Sequence, residues 1–271
     1  MSVIRVKRKV ESVKFKEGTV HVVLPDPHSH PQHDNRRADY AGCFIRDTKP
    51  DTVIVLGDTA DMPSLCSYDR GTKAFQGRTY KADVEAHYDF QERLWAPSRQ
   101  AKKRLPRRVT LIGNHEQRID RAIQIQPELE GVISYNDLNL NRWYTDVVHY
   151  DGATPGSIEI DGVTYAHYLV SGISGRPIYG EHHGYSLLAK NHSSCTVGHS
   201  HTLDYCIRTR ADGSKIMGLS AGVFVDYRPS FAGSATNLWN SCVIKKTFIK
   251  PGVYDIEIVS LEKLRKEYGN A

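Results

Sequence analysis

The chain has 271 residues, 39% hydrophobic and 25% charged, which is enough for one large domain (1–271) with its own core and too long to depend on disulfides or a structural zinc. A formal net charge of +5 attracts anionic ligands but falls well short of a protein that coats nucleic acid. No apolar stretch reaches the roughly 20 residues of a membrane helix, Met1 to Gly18 is Lys-rich without a signal core, and the five cysteines form no Cys-x-x-Cys pair; we therefore expect no membrane association, reduced thiols and a cytoplasmic location.

In chain order, the β-branched run His21 to Leu24 predicts a strand. Asp34 to Lys49 follows as a helix, with Ala38, Ala41, Phe44 and Ile45 on one stripe and Pro50 as its stop. Thr52 to Leu56 then reads as a second strand, parallel to the first because a helix crosses over between them. Pro63 to Thr79 has no sustained period and predicts an irregular insertion near a site mouth, suited to substrate recognition. Lys81 to Leu105 predicts one long helix or two shorter ones, with Val84, Tyr88 and Trp95 on one face and Pro97 as a kink or break. Val109 to Ile112 gives a third strand, and Glu116 to Gln126 a helix ended by Pro127. Short β-like runs from about Ser157 to Val259 predict a second sheet, and Leu261 to Tyr268 a terminal helix. No internal repeat or low-complexity segment interrupts the chain.

Each of the first three strands hands over directly to polar residues: Asp26-Pro-His28, Gly57-Asp58 and Gly113-Asn114-His115-Glu116. His167 closes the strand Gly162 to His167, and Gly198-His199-Ser200-His201 follows Thr196-Val197. Such strand ends are where α/β proteins build sites. Carboxylate and amide oxygen mixed with imidazole nitrogen suits Mn, Fe, Zn, Co or Ni better than calcium. Singly these motifs are common; five in order point to one shared site.

The order Asp-x-His, Gly-Asp, Gly-Asn-His-Glu, His, Gly-His-x-His resembles the calcineurin-like metallophosphoesterase superfamily over residues 20 to 205. The resemblance implies an α/β fold of two packed mixed β-sheets flanked by helices, a four-layer sandwich with the site at its loop edge. It implies two divalent metal ions, manganese foremost in vitro, with Asp26, His28 and His201 on one, Asn114, His167 and His199 on the other, and Asp58 bridging both. A hydroxide shared by the ions would be the nucleophile, Asn114 would also touch substrate, and His115 would be the general acid. Asp61 would support the metal ligands from behind, and Glu116 would orient the site indirectly; the residues themselves give Glu116 a helix-capping role first. Tyr168 stands after His167 where the superfamily usually has glycine, and His149, His182, His183 and His192 compete for that role, but only His167 ends a clean strand. Pro25 and Pro27 stiffen the loop around Asp26, and His30 and His33 read as a polar surface loop.

Asp26-Pro-His28-Ser29 and Asp61-Met62-Pro63 depart from the protein-phosphatase pattern, whereas Gly-His-x-His is similar to the phosphodiesterase and exonuclease-like branches. The resemblance thus implies a hydrolase for phosphate esters, phosphodiesters of nucleotides or nucleic acid ahead of monoesters, with a phosphomonoesterase or protein phosphatase as the alternative. A non-catalytic interaction scaffold is the third reading, and His115 beside a full ligand set speaks against it. Arg99, Lys102, Lys103, Arg104, Arg107 and Arg108 make nucleic acid a candidate partner, although a solvated helix face is the commoner meaning of such a run. The segment after His201 leaves little room for a capping domain, so a small or unstructured diester fits at least as well as duplex DNA.

Overall fold

A computed structural model describes residues 15–102, 104–172 and 175–269; Lys103 and the Lys-rich residues 1–14 lie outside the described residues. Two mixed sheets pack face to face between helices, as the α/β sandwich predicts. The first runs β1 (Val20–Leu24), β2 (Thr52–Val55), β3 (Arg107–Leu111) and β4 (Asp146–Val148), all parallel, with β12 (Cys242–Lys250) and β13 (Val253–Ser260) antiparallel on the other side of β1. The second holds β5 (Ser157–Ile160), β6 (Val163–Ala166), β9 (Cys195–Val197), β10 (Leu203–Thr209) and β11 (Lys215–Ala221), in the order β10-β11-β9-β6-β5 with β6, β9 and β11 parallel. A short hairpin, β7 (Val170–Ser171) and β8 (Arg176–Pro177), stands apart.

The central strands are apolar on both faces because both faces are covered. Val22, Leu24, Val53 and Val55 point toward the helices, while Val23, Ile54, Val109 and Leu111 point between the sheets. The helix layer comprises α1 (Arg37–Thr48), α2 (Tyr80–Gln100) and α6 (Leu261–Tyr268), with Phe90, Leu94 and Trp95 against Ala38, Ala41 and Ile45. Two short helices, α3 (Arg118–Ile125) and α4 (Leu140–Trp143), complete that side. Helix α5 (His183–Asn191) covers the second sheet; with only Leu187 and Leu188 as large apolar residues, it carries too little periodicity to be read from sequence. Helix α2 is one helix, since Pro97 falls in its last turn and removes only a terminal hydrogen bond. The insertion from Pro63 is irregular as expected, three single 3-10 turns. All five cysteines are free thiols. No helix among the described residues is long and apolar enough to cross a membrane.

A lysine lies between the sheets. Lys246 on β12 is fully buried, with Nζ reaching Thr196 Oγ1 and Tyr165 Oη (3.5 Å) and lying over the rings of Tyr165 and Tyr254 at 4.6 and 4.3 Å. No carboxylate pairs with it among the described residues, and burial holds its amine well below the ordinary lysine value. The unfolded chain therefore binds a proton that the folded chain refuses, and stability rises with pH between the folded value and about 10.4. Lys246→Met should abolish that part of the pH dependence: urea unfolding from pH 7 to 9 should show wild type gaining on the variant by on the order of 1 kcal/mol per pH unit. Parallel pH profiles would refute the buried neutral amine.

Candidate metal centre

The parallel strands of both sheets end on one edge, and there the predicted residues meet. Asp26 and His28 follow β1, Asp58 follows β2, Asn114 and His115 follow β3, His167 follows β6, and His199 and His201 follow β9. Five of these, Asp26, His28, Asp58, His199 and His201, have positive φ between 38° and 64°, a region non-glycine residues enter at a cost. Packing around them must compensate. At Gly113 any Cβ would collide with the Asp58 carboxylate, and at Gly198 with that of Asp26, so both glycines leave room for a neighbouring carboxylate.

Two groups of ligand atoms share Asp58, namely Asp26, His28, Asp58 and His201, and Asp58, His167 and His199; a third, His28, Asp61 and His115, shares His28, and the atoms of each group lie within 4.8 Å of one another. His28 Nε2 faces His201 Nε2 at 3.1 Å, and His201 Nε2 is 3.4 Å from Asp26 Oδ2. His167 Nε2 lies 3.2 Å from His199 Nδ1, 3.3 Å from Asp58 Oδ2 and 2.9 Å from Asn114 Oδ1, which places the amide in the second group. His167 Nδ1 donates to the Leu56 carbonyl (2.8 Å), so Nε2 is the atom it presents. None of His149, His182, His183 and His192 joins any of these groups.

The charges in this cluster suit a cation. Asp26 is completely buried with Oδ1 unpaired, and burial pushes its carboxyl up to about 7 against the pull of His167. Burial also opposes ionisation of Asp58, but His167, His115 and His28 outweigh it and hold that carboxyl well below its usual value. Burial would lower His167; Asp58 and Asp26 instead raise it to about 9, so a proton supplies the positive charge between the carboxylates. Burial, reinforced by neighbouring imidazoles, pushes His199 down to about 3 and His201 well below its ordinary value, leaving both rings with lone pairs to give. Buried carboxylates, an orphaned oxygen and neutral imidazoles facing one another can hold metal ions.

Other residues fix this arrangement. Asp61 Oδ1 meets His28 Nδ1 at 2.8 Å and His115 Nδ1 at 3.0 Å, orienting both rings from behind. Glu116 is buried, and its carboxylate accepts the backbone N–H of Asp58 (3.0 Å), Ala60 (2.8 Å) and Gly113 (2.9 Å). It ties the β2 and β3 loops together, which corrects the helix-capping role read from sequence; α3 begins only at Arg118. Arg37, also buried, donates to the carbonyls of Pro27 (2.8 Å), His28 (3.1 Å) and Phe224 (3.1 Å) and so holds the strained Asp26 loop. Tyr179 Oη lies 2.9 Å from His199 Nε2, and Trp239 packs edge-on to His201 at 4.3 Å.

No protein-family model and no curated protein matches this chain. The site must therefore be read from its own atoms, and one expectation changes. His30 and His33 are partly buried: His30 Nε2 is 3.7 Å from Asp61 Oδ2, burial pushes its imidazole down to about 4, and His33 stacks on Tyr227 at 3.7 Å. The basic cluster sits at the start of β3 and the site at its end, roughly 17 Å away for five residues at about 3.3 Å each. There Arg107 makes a two-pronged pair with Asp146 (2.9 and 3.0 Å), Arg99 pairs with Glu92, and Arg108 covers the Trp95 ring at 5.6 Å. Those side chains therefore stand at the opposite end of β3 from the metal ligands.

Because Asp58 belongs to both groups, Asp58→Asn should reduce all divalent-metal uptake together, read by elemental analysis after dialysis; loss of only part of the metal would remove Asp58 from its shared position. Glu116→Gln sets an amide N–H₂ against backbone donors and should cost about 2–3 kcal/mol in urea unfolding of the metal-free protein, whereas a cost near zero would show that the loops hold without this carboxylate.

Proposed function

We propose that the chain is a metal-dependent phosphoesterase of the calcineurin-like metallophosphoesterase type, hydrolysing phosphodiesters ahead of monoesters with two divalent ions. One observation carries this reading: residues from five separated motifs, in the superfamily's order, meet as two ligand groups joined by Asp58, with His115 alongside. Bound there, divalent cations would neutralise phosphate oxygens and acidify a water.

The remaining chemistry belongs to the chain. Asn114 offers its amide beside His167, where it can hold a phosphate oxygen in line. His115 Nδ1 donates to the Asp61 carbonyl (2.8 Å), so the ring presents Nε2, 3.9 Å from Asp58 Oδ2. With a second proton on Nε2, the imidazolium would give that proton to a departing alkoxide. A protein that only docks partners has no use for a histidine aimed in this way. The diester preference rests on the Gly198-His199-Ser200-His201 ending, as set out above.

The test compares steady-state turnover of bis(p-nitrophenyl) phosphate and p-nitrophenyl phosphate by metal-stripped protein refilled with Mn²⁺. Faster diester cleavage is expected; faster monoester cleavage would make the enzyme a phosphomonoesterase, and no turnover of either would overturn the reading. His115→Ala should cut turnover by about 10²–10⁴-fold with metal content unchanged, whereas loss of metal would make His115 a ligand.

A further inference from the structure

We infer that a second anion site, made by Arg70, Arg118 and Arg121 on the His115 side of the metal centre, takes a phosphate group carried by the leaving portion of the substrate, which is therefore a nucleotide bearing a further phosphate and not an isolated diester. The inference rests on the phosphodiesterase reading for its direction; the arginines and their recess stand apart from it.

Arg118 connects the two sites. Its Nη1 donates to the carbonyls of Asp61 (2.8 Å) and Met62 (3.3 Å), and its Nη2 lies 3.3 Å from His115 Nε2, the nitrogen that faces the leaving group. A small recess of about 20 Å³, room for one oxygen of an anion whose remainder would lie over the mouth, opens beyond it between the Pro63–Thr79 insertion and α3, lined by Tyr68 and Arg70 on one side and Arg118, Arg121 and Ile125 on the other. Arg118 and Arg121 are three residues apart on α3 and project from one face. None of the three guanidiniums pairs with a carboxylate among the described residues: Arg118 is held by carbonyls, and Arg70 reaches only Gln126 Oε1 at 3.5 Å. Asp69, the acid in the same loop, is engaged by Arg78 at 2.6 Å. This contrasts with Arg99 and Arg107 at the far edge, each neutralised by an acid.

Unpaired guanidiniums around one recess make a phosphate site, since each offers a planar fork of donors. Tyr68, 83% exposed, adds a ring on which a base can stack without regard to its identity. Phosphate and base together describe a nucleotide. Single-stranded nucleic acid and a nucleoside polyphosphate both carry this chemistry, and competition separates them.

Binding of fluorescein-labelled octathymidylate by fluorescence anisotropy, in EDTA so that turnover is absent, tests the site without reference to catalysis. Arg70→Gln/Arg121→Gln should weaken binding at least tenfold and reduce the slope of log Kd against log salt by about 1.4, two contacts at about 0.7 each. Arg99→Gln/Arg107→Gln should leave both unchanged. Displacement at lower concentration by unlabelled octathymidylate than by ATP would assign the site to strands, and the reverse order to nucleoside polyphosphates; either supports it. No binding by wild type, binding by the Arg70/Arg121 variant equal to wild type, or loss in the Arg99/Arg107 variant would each overturn the inference. Turnover of bis(p-nitrophenyl) phosphate by wild type reports separately on the phosphoesterase reading.

Discussion

Two carboxylates, Asp26 and Asp58, are buried where the C-terminal edges of both sheets meet, and much of the surrounding structure answers the cost of placing them there. Neither can escape to water, and each raises the energy of the other's charge. Four histidines crowd around them, one protonated and holding the charge balance, two stripped of their protons by burial. Such an arrangement is poor as a stabilising device, because hydrophobic residues of the same volume would serve the fold better. Its value lies in offering several lone pairs and fixed negative charge to a cation.

Rigidity comes from behind the site. Five residues with left-handed backbone would relax if their loops were free, and the loops are not free. Glu116 gathers three backbone N–H groups from two loops, and Arg37 gathers four carbonyls, those of Pro27, His28, Asp34 and Phe224. The two residues are opposites in charge and alike in action: a buried ion satisfied by backbone groups of opposite polarity converts its own desolvation penalty into loop geometry. Rows of apolar strand residues on both faces of the first sheet hold the frame on which these loops are mounted.

The candidate metal ligands were legible because each sits within four residues of a strand end or a glycine-led turn, so spacing along the chain mirrored position in space. Glu116 was visible as a residue but not in its role, since nothing in Asn114-His115-Glu116 says that its carboxylate turns back under the Asp58 loop. Arg37, Tyr179 and Trp239 were not visible at all: each is a lone residue reaching the site from a distant segment. His30 and His33 were misread because Tyr227, which stacks on His33, lies almost two hundred residues away in sequence. The sheets followed from periodicity; α5, with two large apolar residues, did not.

Charge density along a sequence is the weakest of these signals, and the basic cluster shows why. Arg99 to Arg108 is the densest positive run in the chain, yet the acids that neutralise Arg99 and Arg107 come from Glu92, one helical face away, and from Asp146 on the neighbouring strand. Arg70, Arg118 and Arg121 are scattered over fifty residues and form no run, but the fold brings them to one recess where, among the described residues, no carboxylate pairs directly with them. A guanidinium already paired offers an anion little, because the ion must first displace a carboxylate, whereas an unpaired one surrenders only water. Availability of charge, not its density, therefore decides where a polyanion would bind, and on this molecule it selects the side of the site that His115 faces.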